Sequence, residues 1–252
     1  MRGNMIEALL KFQVPSDQKV LLDLYCCGGG AAMGYHYSGF DRIIGVDIVR
    51  KNAYPFEFFK ADIMELIRRA PREWWLQFEL VHASPPCQTY SITRNLCKAQ
   101  GKTVSVIDHV PDIQELFHGL ERNRHFHYVI ENVVGAPLRN PVMLCGSSFG
   151  LKVRRHRLFE ASFPIPILPC RHKEQGRPVG VYGSLNDNIP SGGKTAETIQ
   201  EAQEAMGIDW LGWSNLKEAI PPAYSQHIGE AYFRWRYGKN PIEKSKGDEK
   251  CN

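Results

Sequence analysis

The fold of this chain is decided by residues 20–30, which read VLLDLYCCGGG. An apolar run of strand length leads directly into three glycines, and Ala31 to His36 then begin a helix. Glycine lets the backbone approach a ligand closely, and the start of a helix presents free N–H groups. The arrangement is typical of nucleotide-binding folds, although a tight turn without a ligand has the same pattern.

Apolar runs of strand length recur at residues 42–47, 56–62, 78–83 and 127–130, and segments with helical spacing, such as 110–122, lie between them. Strands that alternate with helices predict a doubly wound, mostly parallel sheet of the Rossmann-like α/β type. Ligands bind such sheets beyond the carboxyl ends of the strands. We therefore expect the glycines, the acidic residues at strand ends and the loop after the fourth strand to meet at one edge.

The composition, 43% hydrophobic and 23% charged, is that of an ordinary globular protein with one substantial core. No apolar run is long enough to span a bilayer, and residues 1–13 lack the pattern of a signal peptide. We therefore expect a cytoplasmic protein that does not contact membranes. A formal net charge of +4 permits nucleic-acid binding without arguing strongly for it.

The seven cysteines are odd in number and form no CxxC pair. This pattern favours reduced thiols over a disulfide framework or a zinc site. Cys170 and His172 would belong to a metal site only with partners that the sequence does not reveal. We therefore expect no metal.

The domain organisation predicted from the sequence has four parts. They are an N-terminal extension at residues 1–19, a main domain at 20–158 and 199–237, a small insert at 159–198 and a tail at 238–252. The insert is predicted because proline, glycine and isolated apolar residues replace the regular pattern. The tail is charged and short of apolar residues, which favours disorder.

Two acidic residues sharpen the prediction of a ligand site. Asp47 ends the second strand and can accept hydrogen bonds from both ribose hydroxyls, and Asp62 ends the third and can accept one from an adenine amino group. The glycine spacing differs from the GxGxxG of NAD enzymes and favours an adenosyl ligand without a pyrophosphate. Ile48 would pack on the adenine face, unless it belongs to the ordinary core.

The loop after the fourth strand carries a cysteine. Residues 84–88, SPPCQ, are stiffened by two prolines, and the polar setting exposes the Cys87 thiol to whatever binds at that edge. Glu131 follows the fifth strand and places a carboxyl in the same region. A cysteine and a nearby carboxyl are the minimal requirement for covalent attack on an electron-poor ring.

Four short blocks resemble, in order, the conserved blocks of DNA cytosine-5 methyltransferases: residues 23–30, Pro86-Cys87-Gln88, Glu131-Asn132-Val133 and Arg155-His156-Arg157. Residues 219–222 with Ile228-Gly229 are similar to the closing block of that family. The resemblance spans residues 20–232, and the stretches at 144–146 and 149–151 are similar to the compact versions found in phages and bacteria. It implies a class I methyltransferase fold, S-adenosylmethionine as cofactor and double-stranded DNA as substrate.

The resemblance also implies a mechanism. The target cytosine is flipped out of the duplex, and the Cys87 thiolate adds to C6 so that C5 can accept the methyl group. Protonated Glu131 would hydrogen-bond N3 and the exocyclic amine of the base. Arg155 and Arg157 would contact the base, a phosphate or the nucleophile loop.

By pattern and resemblance together, cofactor binding is assigned to Asp23, Tyr25, Cys26, Gly28, Gly29, Gly30, Asp47, Ile48, Asp62, Ile63 and Pro85. The order of the nucleophile loop is assigned to Pro86, Gln88 and Asn132. Contacts with DNA are assigned to Ser91, Arg171, Lys173 and Arg177.

Three features depart from the family pattern. Cys27 stands where the family normally has glycine, so we expect a backbone conformation there that tolerates a side chain. Lys217-Glu218 replaces a Gly-Asn pair near the methionine part of the cofactor, and we expect a salt-bridged surface turn. The insert of about 40 residues is too small to have its own core, which predicts a short or degenerate recognition site, or a partner protein.

Two alternatives remain beside a DNA enzyme. The first is an RNA cytosine-5 methyltransferase, because one tRNA-modifying branch shares the DNA-type blocks, although RNA enzymes usually take the nucleophile from a Thr-Cys block. The second is a catalytically silent DNA-binding relative, against which the presence of every expected catalytic residue argues. No nuclease signature accompanies the chain, so an orphan enzyme is favoured over half of a fused restriction–modification system.

Overall fold

The computed structural model describes residues 3–88, 90, 107–187 and 194–238. The strands are β1 (Val20–Leu24), β2 (Arg42–Asp47), β3 (Glu57–Lys60), β4 (Leu80–Ala83), β5 (Tyr128–Asn132), β6 (Val142–Leu144) and β7 (Arg157–Ala161). The helices are α1 (Gly3–Leu10), α2 (Gly30–Ser38), α3 (Ile63–Arg69), α4 (Arg72–Trp75), α5 (Val110–Glu121), α6 (His172–Gln175), α7 (Ile199–Met206), α8 (Trp213–Leu216) and α9 (Pro222–Tyr237), with a 3₁₀ turn at Gly146–Phe149.

All seven strands belong to one sheet, in the order β3-β2-β1-β4-β5-β7-β6. The first five strands in that order are parallel. β7 runs antiparallel to β5, and β6 runs antiparallel to β7. The prediction of a doubly wound, mostly parallel α/β sheet is therefore confirmed. The antiparallel pair was not predicted, because β6 has only three residues and two of them are not fully buried.

The sheet has an apolar layer on each face. β1 shows why, because its alternate residues point to opposite faces and all five are buried. Val20, Leu22 and Leu24 join a cluster that includes α1, α3, α4 and α5. Leu21 joins a second cluster, which is dominated by aromatic residues of α2 and α9. α2 and α9 pack closely at Gly34, because this residue has no side chain. A Cβ there would lie 2.0 Å from the carbonyl oxygen of Pro222.

A third apolar cluster lies beside the sheet and contains α7 and α8. Val153 and Val181 pack there with Met206 of α7, Leu216 of α8 and Leu211 between the two helices. Inside the region predicted as an insert, residues 159–161 lie in β7, α6 is a single turn, and Gly180 forms an isolated bridge with Thr195. The insert thus packs against α7 and α8 through a core that it shares with them.

The structure does not describe one predicted site residue and most of the predicted tail. Ser91 falls outside the described residues, as does the predicted tail except for Gly238. Across the part of the chain that is described, none of the helices combines the length and apolar character needed to cross a membrane.

Candidate active site

The strand order reverses direction between β1 and β4, and a cavity of about 340 Å³ opens there at the carboxyl ends of the strands. Such a crevice is where ligands bind in doubly wound sheets. Of the residues assigned to the cofactor, the lining includes Asp23, Tyr25, Cys26, Gly30, Asp47, Ile48, Asp62, Ile63 and Pro85. Gly28 and Gly29 lie outside the lining, because they pack tightly against Leu211 and Pro55, respectively.

The residues assigned to chemistry reach the same cavity. Cys87, Glu131 and Arg157 line it, together with Pro86 and Gln88 of the nucleophile loop. The predicted cofactor residues and the predicted nucleophile therefore share one space, as the topology requires.

The loop after β1 has a strained backbone. Cys27 has a φ of 45°, and Tyr25 has a φ of 57°. Both values lie in the left-handed region, which glycine adopts freely and other residues adopt at a cost. The expectation that Cys27 occupies a conformation that tolerates a side chain was therefore wrong. Its φ explains why glycine suits this position.

Asp47 holds this loop in place. Its Oδ2 accepts a hydrogen bond from the backbone N–H of Cys27 at 3.0 Å, and its Oδ1 accepts one from Val49 at 3.0 Å. A carboxylate oxygen can accept more than one hydrogen bond, so Asp47 retains capacity for a ligand. Ile48 is 57% exposed and lines the cavity, so it is not an ordinary core residue.

Asp62 lines the cavity from the start of α3. Its Oδ1 accepts hydrogen bonds from the backbone N–H groups of Met64 at 2.8 Å and Glu65 at 3.3 Å, which makes it the N-cap of that helix. Tyr25 lies nearby, and its hydroxyl is 2.9 Å from Nδ1 of His109. His109 lines the cavity but had not been predicted, because nothing in its surrounding sequence marks a ligand site.

Asp23 is the most unusual acid of the cavity. It is fully buried, and its Oδ1 has no hydrogen-bond partner among the described residues. Burial and the negative charge of Asp47 raise the pKa of Asp23 well above its ordinary value. Asp23 Oδ2 accepts a hydrogen bond from the hydroxyl of Tyr54 at 3.5 Å. The other oxygen is buried without a partner, which is unfavourable unless the carboxyl is protonated or a bound ligand supplies a donor or a positive charge.

Asn132 holds the loop that carries Cys87 in place. Its Nδ2 donates a hydrogen bond to the carbonyl oxygen of Pro85 at 3.1 Å, and its Oδ1 accepts one from the backbone N–H of Val133 at 2.9 Å. These contacts place Cys87 at the cavity. Burial and the charge of Glu131 raise the pKa of the Cys87 thiol, and Arg157 and Arg155 oppose that shift.

Glu131 forms a buried ion pair with Arg157, whose Nε lies 3.1 Å from its Oε1. Burial raises the pKa of Glu131, although Arg157, a hydrogen bond from Ser84 and Arg155 each lower it in part. The net direction is upward. The carboxyl is therefore more readily protonated than an exposed glutamate.

A chain of hydrogen bonds extends from Ser84 away from the cavity. Ser84 Oγ lies 2.9 Å from Nε2 of His82, and His82 Nδ1 lies 3.0 Å from the hydroxyl of Tyr35. Burial lowers the pKa of His82 to about 3, so its ring is neutral and can accept at one nitrogen while donating at the other. The chain thus orients the Ser84 hydroxyl toward Glu131.

Arg155 is not part of the cavity lining. Its Nη2 donates to the carbonyl oxygen of Lys217 at 2.6 Å, and its Nη1 donates to that of Val181 at 3.2 Å. Burial and the charge of Arg157 lower the pKa of Arg155 to about 9. The side chain joins the segment before β7 to the insert and to the segment before α9.

The Lys217-Glu218 pair does not form the salt bridge that we expected. Within the described parts of the chain, Glu218 pairs with Lys51, whose Nζ lies 3.6 Å from its Oε2. Lys51 Nζ also donates a hydrogen bond to Asn215 Oδ1 at 3.1 Å. Lys51 and Glu218 both line the cavity, so a bound cofactor would meet the two opposite charges of this pair.

Three of the four residues assigned to DNA contacts are described by the structure, and none of these three lines the cavity. Arg171, Lys173 and Arg177 are exposed and lie in or beside α6. In the same region the structure brings Cys170 and His172 together with Cys145 and His156. These two partners were not visible in the sequence, and the expectation of a metal-free protein is not confirmed.

No known protein-family profile matches the chain, and no curated protein does so. Among solved structures, a protein assigned as a DNA modification methyltransferase and encoded within a prophage of E. coli is similar. It matches with a TM-score of 0.54 and 12% identity, over 86% of this chain and 99% of that chain. The chain has a methyltransferase fold.

This result confirms the fold expected from the resemblance to DNA methyltransferases. A second solved structure, the antibiotic-resistance methyltransferase Kmr, is 16% identical over 64% of this chain and 92% of that chain. Its TM-score of 0.28 is too low to support an argument.

Proposed function

We propose that this chain transfers a methyl group from S-adenosylmethionine to C5 of a flipped-out cytosine in DNA. The observation that carries the proposal is that Cys87 and the Glu131–Arg157 pair line the same cavity as Asp47 and Asp62. A nucleophile, a carboxyl with a raised pKa and acceptors for a nucleoside thus face one space.

The residues present fit S-adenosylmethionine. A volume of about 340 Å³ lies within the range of small-molecule sites, about 300–1,000 Å³. The cofactor carries positive charge on its sulfonium and its amino group, and Asp23 Oδ1, which has no hydrogen-bond partner among the described residues, is suited to such a ligand. Asp47 and Asp62 would hold the ribose and the adenine. When bound, the cofactor supplies an electrophilic methyl group.

Cys87 and Glu131 would act as a coupled pair. The charge of Glu131 raises the pKa of Cys87, so protonation of Glu131 removes an obstacle to forming the thiolate. Arg157 and Arg155 then remain to stabilise the thiolate charge. A proton that moves from the thiol to the carboxyl would therefore activate both groups at once.

The thiolate of Cys87 forms a bond to C6 of the cytosine, and the electrons of the C5–C6 double bond move toward C5 and the ring. Protonated Glu131 hydrogen-bonds N3 and so stabilises the charge that develops on the ring. C5 then takes the methyl group. Loss of the C5 proton to a base restores the double bond and expels the Cys87 thiolate.

The experiment that tests the proposal traps the covalent adduct. The purified chain is incubated with S-adenosylmethionine and a duplex containing 5-fluorocytosine, whose fluorine cannot leave as a cation. The adduct should survive denaturation, and digestion with mass spectrometry should locate it on Cys87. Cys26 and Cys27 line the same cavity and serve as internal controls for non-specific alkylation.

The same experiment separates the alternatives. An adduct on a matched 5-fluorocytosine RNA and none on DNA would identify an RNA enzyme. DNA binding without an adduct on either substrate would identify a catalytically silent relative. An adduct on Cys26 or Cys27 would refute the assigned nucleophile.

A further inference from the structure

Two cysteines and two histidines meet outside the lining of the cavity. They are Cys145, His156, Cys170 and His172, and their ligand atoms all lie within 4.8 Å of one another. Cys145 Sγ is 3.2 Å from Nε2 of His172, and Cys170 Sγ is 3.5 Å from Nε2 of His156. Each sulfur thus lies next to a ring nitrogen.

These distances match the edges of a metal tetrahedron. Zinc–sulfur bonds of about 2.3 Å and zinc–nitrogen bonds of about 2.0–2.1 Å give sulfur-to-nitrogen edges of about 3.6 Å. Two of the sulfur-to-nitrogen distances, from Cys145 to His172 and from Cys170 to His156, are 3.2 Å and 3.5 Å, and all ligand atoms lie within 4.8 Å of one another. Two thiolates and two imidazoles are also a donor set that zinc prefers.

We propose that these four residues bind one structural Zn²⁺ ion. Four protein ligands fill a tetrahedral site and leave no open position for a substrate, so the ion would stabilise structure without taking part in the reaction. The proposal does not depend on what the enzyme methylates.

The chain segments that supply the ligands are already held side by side. Ser147 Oγ lies 3.1 Å from the Cys145 sulfur and accepts a hydrogen bond from the backbone N–H of Arg171 at 3.0 Å. Ser148 Oγ donates to the carbonyl oxygen of Pro169 at 2.8 Å. Hydrogen bonds around metal ligands orient them for binding. These hydrogen bonds hold the segments that carry Cys145, Cys170 and His172 next to one another.

The charges of the ligands are compatible with a metal, because neutral imidazole rings and thiolates are the forms that bind zinc. Two thiolates would balance the charge of the ion. A disulfide between Cys145 and Cys170 would occupy both sulfurs, but it would not account for the two histidines that lie next to them.

The position of the ligands indicates what the ion would do. Cys145 follows β6 and His156 precedes β7, whereas Cys170 and His172 lie at the start of α6 in the insert. His156 stands between Arg155 and Arg157. The ion would therefore fasten the insert, with Arg171 and Lys173, to the segment that places Arg157 at Glu131.

The test uses the full-length chain, purified without a metal-binding tag and supplied with zinc. Elemental analysis should find about one zinc per chain. Replacement of zinc by Co²⁺ should produce the d–d bands of tetrahedral cobalt and a thiolate charge-transfer band. Cys170→Ser and His172→Gln should each weaken zinc binding by at least about a hundredfold, because losing a ligand exceeds the loss of a supporting hydrogen bond.

His125→Gln is the matched control, since His125 is exposed and lies outside the cluster. It should bind zinc as the unaltered chain does. A folded chain that binds neither zinc nor cobalt, or ligand variants that bind as well as the control, would overturn the proposal. A Cys145–Cys170 disulfide in the non-reduced peptide map would overturn it as well. The cobalt spectrum needs no variant, so the test survives if a substitution prevents folding.

Discussion

The cavity at the strand ends and the Cys/His cluster are built in different ways. Most residues of the cavity lie at or just beyond the carboxyl ends of β1 to β5, and a parallel sheet brings these ends to one edge. Residues of the cluster come from a turn after β6, the segment before β7 and the insert. The topology of the sheet assembles most of the first site, whereas the packing of irregular segments assembles the second.

The two regions meet in three residues. Arg157 faces the cavity and pairs with Glu131, His156 joins the cluster, and Arg155 fastens the backbone of Val181 and Lys217. Arg155 has a φ of 39°, so the backbone turns sharply there and sends successive side chains in different directions. A substitution can therefore disturb the cavity or the cluster separately, although the two regions are adjacent.

The largest effect is expected at the nucleophile. Cys87→Ala should lower methylation by at least about a thousandfold, because the covalent route is lost. Binding of S-adenosylmethionine, measured by calorimetry, should be nearly unchanged. Cys27→Gly removes a second thiol of the cavity and relieves a left-handed backbone, so that variant should keep methylating. Appreciable turnover by Cys87→Ala would refute the assignment.

Many of the residues singled out from the sequence line one cavity, because the signals that mark them are local. Residues 20–30 show a strand, a glycine turn and a helix start, and the acids Asp47 and Asp62 follow strands that are recognisable by their apolar runs. The short β6 and the strained φ of Cys27 were missed, because both depend on neighbours distant in the chain. The cluster was also missed, because its four ligands have no regular spacing in the sequence and come together only in the folded chain.

The next effect in size concerns cofactor affinity. Asp47→Ala should weaken S-adenosylmethionine binding by about tenfold to a hundredfold, because hydrogen bonds to a charged group contribute about 1.5–3 kcal/mol. Part of the loss would come through the loop, since Asp47 also holds the N–H groups of Cys27 and Val49. Asp41→Ala is the control, because Asp41 accepts a backbone N–H of Lys19 at the opposite edge of the sheet. Unchanged affinity in calorimetry would mean that Asp47 does not contact the cofactor.

A smaller effect should separate the insert from the cavity. The double variant Arg171→Ala, Lys173→Ala removes two exposed positive charges, and the salt dependence of DNA binding should become shallower by about two in logarithmic slope. Affinity should fall about equally for unrelated duplexes, since phosphate contacts carry no sequence information. Arg124→Ala, an exposed charge before β5, is the control. A change confined to one sequence would show that the insert reads bases.

The smallest effect concerns the proton on Glu131. A hydrogen bond from Ser84 lowers the pKa of that carboxyl, so Ser84→Ala should raise the pKa further. Burial raises the pKa of the Cys87 thiol as well as that of the Glu131 carboxyl. The pair must carry one proton to react, so the first of its two ionisations sets the acid limb of the kcat/KM profile, and a higher pKa of Glu131 moves that limb to higher pH.

Ser84→Ala should therefore move the acid limb to higher pH. Ser84→Thr retains the hydroxyl between His82 and Glu131 and should keep the limb near its original position. A merely structural role for Ser84 would lower kcat without moving the limb. A shift to lower pH would mean that the hydroxyl hydrogen-bonds the protonated form of Glu131, and that the chain through His82 and Tyr35 opposes ionisation instead of favouring it.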